Sequence, residues 1–284
     1  MAVCKTTMAG SNKMLLSRGP IIAELLQIYS NTRDLKDQEI LHSNSNHLKA
    51  YFERLDYLAA QDVKDHLVRD ILGKPGYESV LKAIVRFRNL YSLRLELENA
   101  NAILANGDSW GALKKFTHYS NYTQLARTEY QGSKLKPGDT VAFIGSGPLP
   151  LSLILLCHQH GLRGIGLEQE SDRAALSRKV LAKLDLSEQI EIIDGNHFKL
   201  PSNNGCKLIM VAAAAEPKTE IFEFLAKVLP SGTKISYRIY EKGLRRLLEA
   251  SSSLKLPELF REHLRIQPVP PVNNTVVFLT KQVC

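Results

Sequence analysis

Beyond Asp139 the chain changes rhythm. Six short apolar runs, at 140–144, 164–168, 189–193, 207–212, 233–238 and 275–280, alternate with helical stretches near 149–160, 171–184, 217–229 and 241–249. Strands that recur with a helix between them bury both faces of a common sheet, so this half is expected to be α/β, three layers with helices on either side. Before it the apolar spacing is helical: 20–29, 47–72, 77–105, and a fourth helix that opens at Asp108 or Ser109 and runs to about Tyr130. Ser43-Asn44-Ser45-Asn46 interrupts the first two, and Gly73-Lys74-Pro75-Gly76 closes the second. The stretch 132–139 is the clearest linker, dividing the chain into a helical region 1–131 and an α/β region 137–284.

A length of 284 residues suits one large domain or two modest ones, and 44% hydrophobic with 23% charged residues excludes disordered and fibrous classes. The densest apolar run, 149–157, is far shorter than the roughly 20 residues of a membrane span, and residues 1–17 lack the apolar core of a secretion signal. A cytoplasmic protein without a membrane partner is expected. Cys4, Cys157, Cys206 and Cys284 form no C-x-x-C pair, which argues against a disulfide framework or a zinc knuckle. The net charge of +8 raises the possibility of nucleic acid as a partner, but the basic residues are spread, with no run of five or more, and none is expected.

The first strand of the α/β half ends in Ile144-Gly145-Ser146-Gly147-Pro148 and passes directly into helix. Glycines there let backbone amides approach a ligand, and the helix N-terminus offers positive potential. The third glycine of a dinucleotide fingerprint is missing, with Pro148 and Pro150 in its region, so a nucleotide without a pyrophosphate fits better. Glu168, at the end of the second strand, is placed to accept both ribose hydroxyls, or is a solvated turn residue. Asp194 or Asn196, after the third strand, could read an adenine amine or simply shape a turn. The residues alone therefore suggest an adenosine-containing ligand, with S-adenosylmethionine the natural candidate and methyl transfer the generic reaction.

The stretch Phe143 to Leu151, with its Gly-Pro-Leu-Pro-Leu, resembles the signature of the nicotianamine synthases. Further likenesses follow in order: Leu176-Ser177-Arg178-Lys179-Val180, the run Met210 to Lys218, Tyr237-Arg238-Ile239-Tyr240 and Val272-Asn273-Asn274-Thr275. With Leu95-Glu96-Leu97-Glu98 and Asn121-Tyr122 upstream, the resemblance covers roughly residues 78–280. It implies a Rossmann-like S-adenosylmethionine domain of the class I methyltransferase type, preceded by an all-α domain that forms a lid and acceptor site. Gly145, Ser146, Gly147, Pro148 and Leu149 would then contact the donor. It further implies transfer of the 3-amino-3-carboxypropyl group of S-adenosylmethionine to an amine, with release of methylthioadenosine. The product would be nicotianamine or a related metallophore; relatives that make a single transfer to histidine build opine metallophores.

Such a transfer needs a base, because the acceptor amine is protonated near neutral pH. Glu96 lacks a basic neighbour one turn away, whereas Glu98 has Arg94. The resemblance places the catalytic glutamate at Glu96 and a partner tyrosine at Tyr122; the alternatives are a plain polar helix position and core packing. Acceptor and donor both carry carboxylates, so a cation should line the cleft. Arg238 is the leading candidate, flanked by Tyr240, unless it pairs with Glu241. Glu216 could touch the donor amine or cap a helix. His158 and His160 diverge on their helix and His197 stands alone as a surface or turn residue, so no metal is expected. The remaining partner is a small amino-acid acceptor, and a homodimer is compatible with the sequence. The stretch 251–271 has no firm match and is a candidate wall of the acceptor pocket.

Three readings stand side by side: the aminocarboxypropyl transferase, a conventional methyltransferase that would yield S-adenosylhomocysteine, and a nucleic-acid-binding module whose affinity would fall with salt.

Overall fold

The computed structural model describes residues 18–42, 46–61, 63–201, 205–249, 254–269 and 272–283. The expectations for residues 1–17, Cys4, Cys284 and the break at 43–45 lie outside these. Among the described residues seven α-helices come first: α1 (Arg18–Thr32), α2 (Asp37–His42), α3 (Asn46–Ala60), α4 (Asp65–Leu72), α5 (Glu78–Ala105), α6 (Ser109–Lys114) and α7 (Tyr119–Gly132). An alternation follows: β1 (Thr140–Ile144), α8 (Leu151–His160), β2 (Arg163–Glu168), α9 (Ser171–Lys183), β3 (Ile190–Asp194), β4 (Leu208–Val211), α10 (Lys218–Val228) and β5 (Lys234–Ile239). The antiparallel strands β6 (Phe260–Ile266) and β7 (Thr275–Lys281) complete one sheet in the order β3-β2-β1-β4-β5-β7-β6.

β1 through β5 are parallel, which matches the α/β Rossmann-like expectation. The apolar character of β1 and β4 follows from their central positions, where both faces are covered. Strand order reverses at β1, so a crevice opens between β1 and β4 at their carboxyl ends, the place where such sheets hold ligands. α8 is buried all round from Leu151 to Cys157 because it lies between the sheet and α7. That burial, and not a membrane, accounts for the densest apolar run; among the described residues no helix is long and apolar enough to cross a bilayer.

Four local expectations are corrected. The helical signal over 47–72 is two helices, α3 and α4, because a 3-10 helix at Gly243–Leu248 packs against the break and buries Leu244, Leu247 and Leu248 beside Phe52, Leu55 and Ile71. That 3-10 helix stands where an α-helix over 241–249 was expected. The fourth helix is likewise divided into α6, whose first turn is capped by Asp108 accepting from the Gly111 amide at 2.7 Å, and α7. The break between them turns Phe116 and His118 toward the cleft. β6 was not expected at all: four of its seven residues are charged or histidine, the composition of an exposed edge strand.

Candidate active site

A cavity of about 440 Å³ lies at the carboxyl ends of β1, β2 and β4, walled on the far side by α5 and α7. Its floor is the β1–α8 loop. Gly145 and Gly147 take positive φ of 79° and 74°, conformations that side chains with a Cβ adopt only under strain. At Gly145 a Cβ would also press on Ala212 and Ala215, at 3.3 and 3.1 Å, where the loops after β1 and β4 touch. The amides of Gly145 and Ser146 both donate to the Leu167 carbonyl at 3.0 Å. Gly147 instead donates to Glu168 Oε2 at 2.9 Å, while Glu168 Oε1 accepts from the Glu170 amide at 3.0 Å. Glu168 is therefore buried and fixed, a brace between two loops, and each of its oxygens keeps a further lone pair for a ligand hydroxyl. Pro148 and Leu149 continue the floor.

Glu96 comes down from α5 onto this loop. A Cβ at Gly147 would stand 2.8 Å from Glu96 Oε2, so the carboxylate rests directly over this glycine. Tyr122, from α7, lies beside the same carboxylate on the cavity wall, close enough for its hydroxyl to favour the ionised form of Glu96. Burial, and then the charge of Glu168, push the Glu96 carboxyl up to about 8, against the pull of Arg173, the Tyr122 hydroxyl and Arg88. Burial and the neighbouring Glu96 push Tyr122 upward as well, so its phenol stays a proton donor. Glu98, by contrast, meets Arg94 at 2.7 Å on the exposed side of the helix.

Arg238, Tyr240, Glu216 and Asn196 also line the cavity, with partners that the sequence left open. Arg238 faces the cavity, but its guanidinium is held by Glu129 at 3.0 and 2.7 Å and by Ser152 at 2.8 Å, all three side chains buried. It does not pair with Glu241, which meets Arg265. Tyr240 lines the cavity with the Arg88 guanidinium 4.8 Å over its ring. Glu216 borders the cavity and accepts from the Lys218 amide at 3.0 Å and from Lys218 Nζ at 2.9 Å, so it serves the start of α10. Asn196 lines the cavity and caps a 3-10 turn by accepting from the Phe198 amide at 3.2 Å, whereas Asp194 is not among the lining residues. His197 is not a surface residue: it is buried against Phe198 and Phe224, with Nε2 3.6 Å from Glu220.

A sequence profile described as "Nicotianamine synthase protein" matches residues 16–284. The chain belongs to the nicotianamine synthase family. The family thus reaches well upstream of the 78–280 span over which motifs alone carried the likeness. Nicotianamine synthase 3 of Oryza sativa subsp. japonica is 28% identical over 193 residues, 63% of this chain and 51% of that protein. Nicotianamine synthase 1 of Hordeum vulgare is 33% identical over 90 residues, 30% of this chain and 27% of that protein. The chain therefore spans about half or less of the length of these plant relatives. A glutamate-to-glutamine variant of MtNAS in complex with S-adenosylmethionine has a TM-score of 0.82 at 28% identity, covering 92% of this chain and 98% of that one. MtNAS in complex with MTA and tNA gives 0.81 at 28% identity, covering 94% and 97%.

Against this nicotianamine synthase architecture, several cleft residues escaped the sequence reading. Arg88, Asn89 and Ser92 share the α5 face with Glu96, and the spacing 88–92–96 is the signal that would have found them. Glu129 lies seven residues after Tyr122 on α7, two turns along the same helix face, and it is buried outside the cavity wall, where it holds Arg238, which does line the cavity. Asn273 and Asn274 precede β7 and also line the cavity, whereas no described residue of 254–269 does. Among the described residues no group of three or more His, Cys, Asp or Glu side chains is placed to hold a metal.

Proposed function

We propose that this chain is an S-adenosylmethionine-dependent transferase that moves the 3-amino-3-carboxypropyl group to an amine, making nicotianamine or a related metallophore. The observation that carries this reading is the Glu96 carboxylate, seated on the Gly147 loop with Tyr122 beside it. The likeness to MtNAS, known in complex with S-adenosylmethionine, supports the choice of donor.

The donor's adenosine would lie along the Gly145–Leu149 loop, with its ribose on Glu168 and its base near Asn196, and not against Asp194, which is absent from the cavity wall. A sulfonium has three activated carbons, so positioning selects among them. The acceptor nitrogen lone pair attacks the methionyl Cγ, the Cγ–S bond breaks, and its electron pair returns to sulfur, which leaves as the neutral thioether of methylthioadenosine. The proton surrendered by the amine passes to Glu96, with Tyr122 orienting the pair. A carboxyl poised near 8 is better matched to an amine than an ordinary glutamate, and the sulfonium charge would favour its ionised form when the donor binds. Arg238, paired with Glu129, stands behind Tyr122, 5.8 Å from its ring, and helps to fix that side chain. The helical region 1–131 would act as lid and acceptor site over the α/β region 137–284.

The test is mass spectrometry of reactions containing S-adenosylmethionine and single amino acids. Methylthioadenosine together with a product heavier by one or more aminocarboxypropyl units is expected. S-adenosylhomocysteine would instead establish methyl transfer, and a single adduct on histidine would establish the opine-type reaction.

A further inference from the structure

An acceptor that is an amino acid brings a carboxylate into the cleft, and burying an anion requires a cation with donors to spare. Arg238 is poorly suited, since Glu129 already neutralises it with two hydrogen bonds. Arg88 differs. It projects from the α5 face that also carries Ser92 and Glu96, and its side chain is only 13% exposed. Its nearest carboxylate, Asp56, stands 3.8 Å from Nε, too far for a hydrogen bond, and both Nε and that Asp56 oxygen are buried without a hydrogen-bond partner. The guanidinium carbon stands 4.8 Å from the centre of the Tyr240 ring, which backs the fork with an aromatic face. It is also near enough to Glu96 and Tyr122 for its charge to favour the ionised form of both.

A buried, aromatic-backed guanidinium with an undersatisfied donor set, on the wall opposite the donor loop, has the chemistry of a bidentate carboxylate site. We infer that Arg88 grips the α-carboxylate of the amino-acid acceptor and so sets the preference for amino acids over simple amines. This rests on the transferase reading above. The same chemistry would suit the methionyl carboxylate of the donor, and the experiment separates the two.

Parent, Arg88→Ala and Arg88→Lys would be assayed for kcat/KM with the amino acid that the parent uses best and with its decarboxylated amine. Affinities for S-adenosylmethionine and for methylthioadenosine, which lacks the carboxylate, would be measured by calorimetry. The parent should prefer the amino acid. Arg88→Ala should lose at least tenfold of that preference, mainly through KM for the amino acid, with donor affinity changed less than threefold; Arg88→Lys should recover part of it. An unchanged preference in both variants would overturn the inference. So would a fall in S-adenosylmethionine affinity to the level of methylthioadenosine, which would assign Arg88 to the donor. Turnover by the parent that needs no added amino acid also counts against it. Should Arg88→Ala fail to fold, as judged by its thermal melt, Arg88→Lys alone decides, since it retains the charge and loses the fork. A parent that releases no methylthioadenosine with any acceptor would overturn the transferase reading itself, a different result from turnover with unchanged preference.

Discussion

Glu96 owes its chemistry to where it is buried. Glu96→Gln preserves its shape while removing the proposed base, so turnover should fall by at least a hundredfold, at the low end of what general-base catalysis supplies, with donor affinity kept. Single-turnover release of methylthioadenosine is the readout, and retained turnover would refute the assignment. The raised carboxyl also has a stability signature. A group at about 8 in the fold and near 4.5 when unfolded binds more protons in the native state between those values, so the fold loses stability as pH rises through that window. Glu96→Gln lacks this loss. Its melting temperature should match the parent near pH 4 and exceed it at pH 9, and parallel melting curves across that range would count against the raised carboxyl. Glu168→Ala removes the brace on the Gly147 amide and the proposed ribose contact together. Donor binding should weaken by about 1.5–3 kcal/mol by calorimetry, the range for hydrogen bonds to a charged group.

At the scale of elements, α7 is pinned to the sheet by one buried ion pair. Glu129 and Arg238 join α7 to β5, and Ser152 adds α8 to the junction. The pair's net contribution is modest, but breaking it strands a charge in the interior, so Glu129→Ala should cost about 3–5 kcal/mol in urea unfolding. The apolar double replacement Glu129→Leu with Arg238→Met should recover most of that. Because Tyr122 sits two turns from Glu129 on the same helix face, the double variant tests position as well: stability restored with turnover still impaired would show that the pair aligns Tyr122.

For the whole molecule, the helical half does not own its core. Tyr240, Leu244, Leu247 and Leu248 come from the C-terminal half and pack with Ile21, Phe52, Leu55 and Ile84. A fragment of residues 18–132 would expose that apolar face and should show no cooperative thermal transition, whereas the full chain should melt in one. A cooperative transition in the fragment would establish the helical half as independent. The same interlock explains how the cleft is built, since the 3-10 helix that completes the helical core directly follows Tyr240 and carries it to Arg88.

Sequence alone determined what depends on short-range periodicity and on rare local combinations. The parallel strands and most crossover helices were legible because apolar runs of strand length alternate with helical spacing. The loop was legible because two glycines and two prolines between strand and helix leave few other conformations. Glu96 and Tyr122 were reached through the family likeness of their surroundings. Only the tertiary structure decided what depends on partners distant in the chain. Arg238 and Glu129 are 109 residues apart, and no local pattern shows that one neutralises the other. The break between α3 and α4 is imposed by a segment some 180 residues later, which overrides a continuous helical signal. β6 hides its strand character under edge-strand charges. The raised Glu96 carboxyl arises only when α5 is laid across the Gly147 loop, because desolvation belongs to the assembled cleft and to no stretch of sequence.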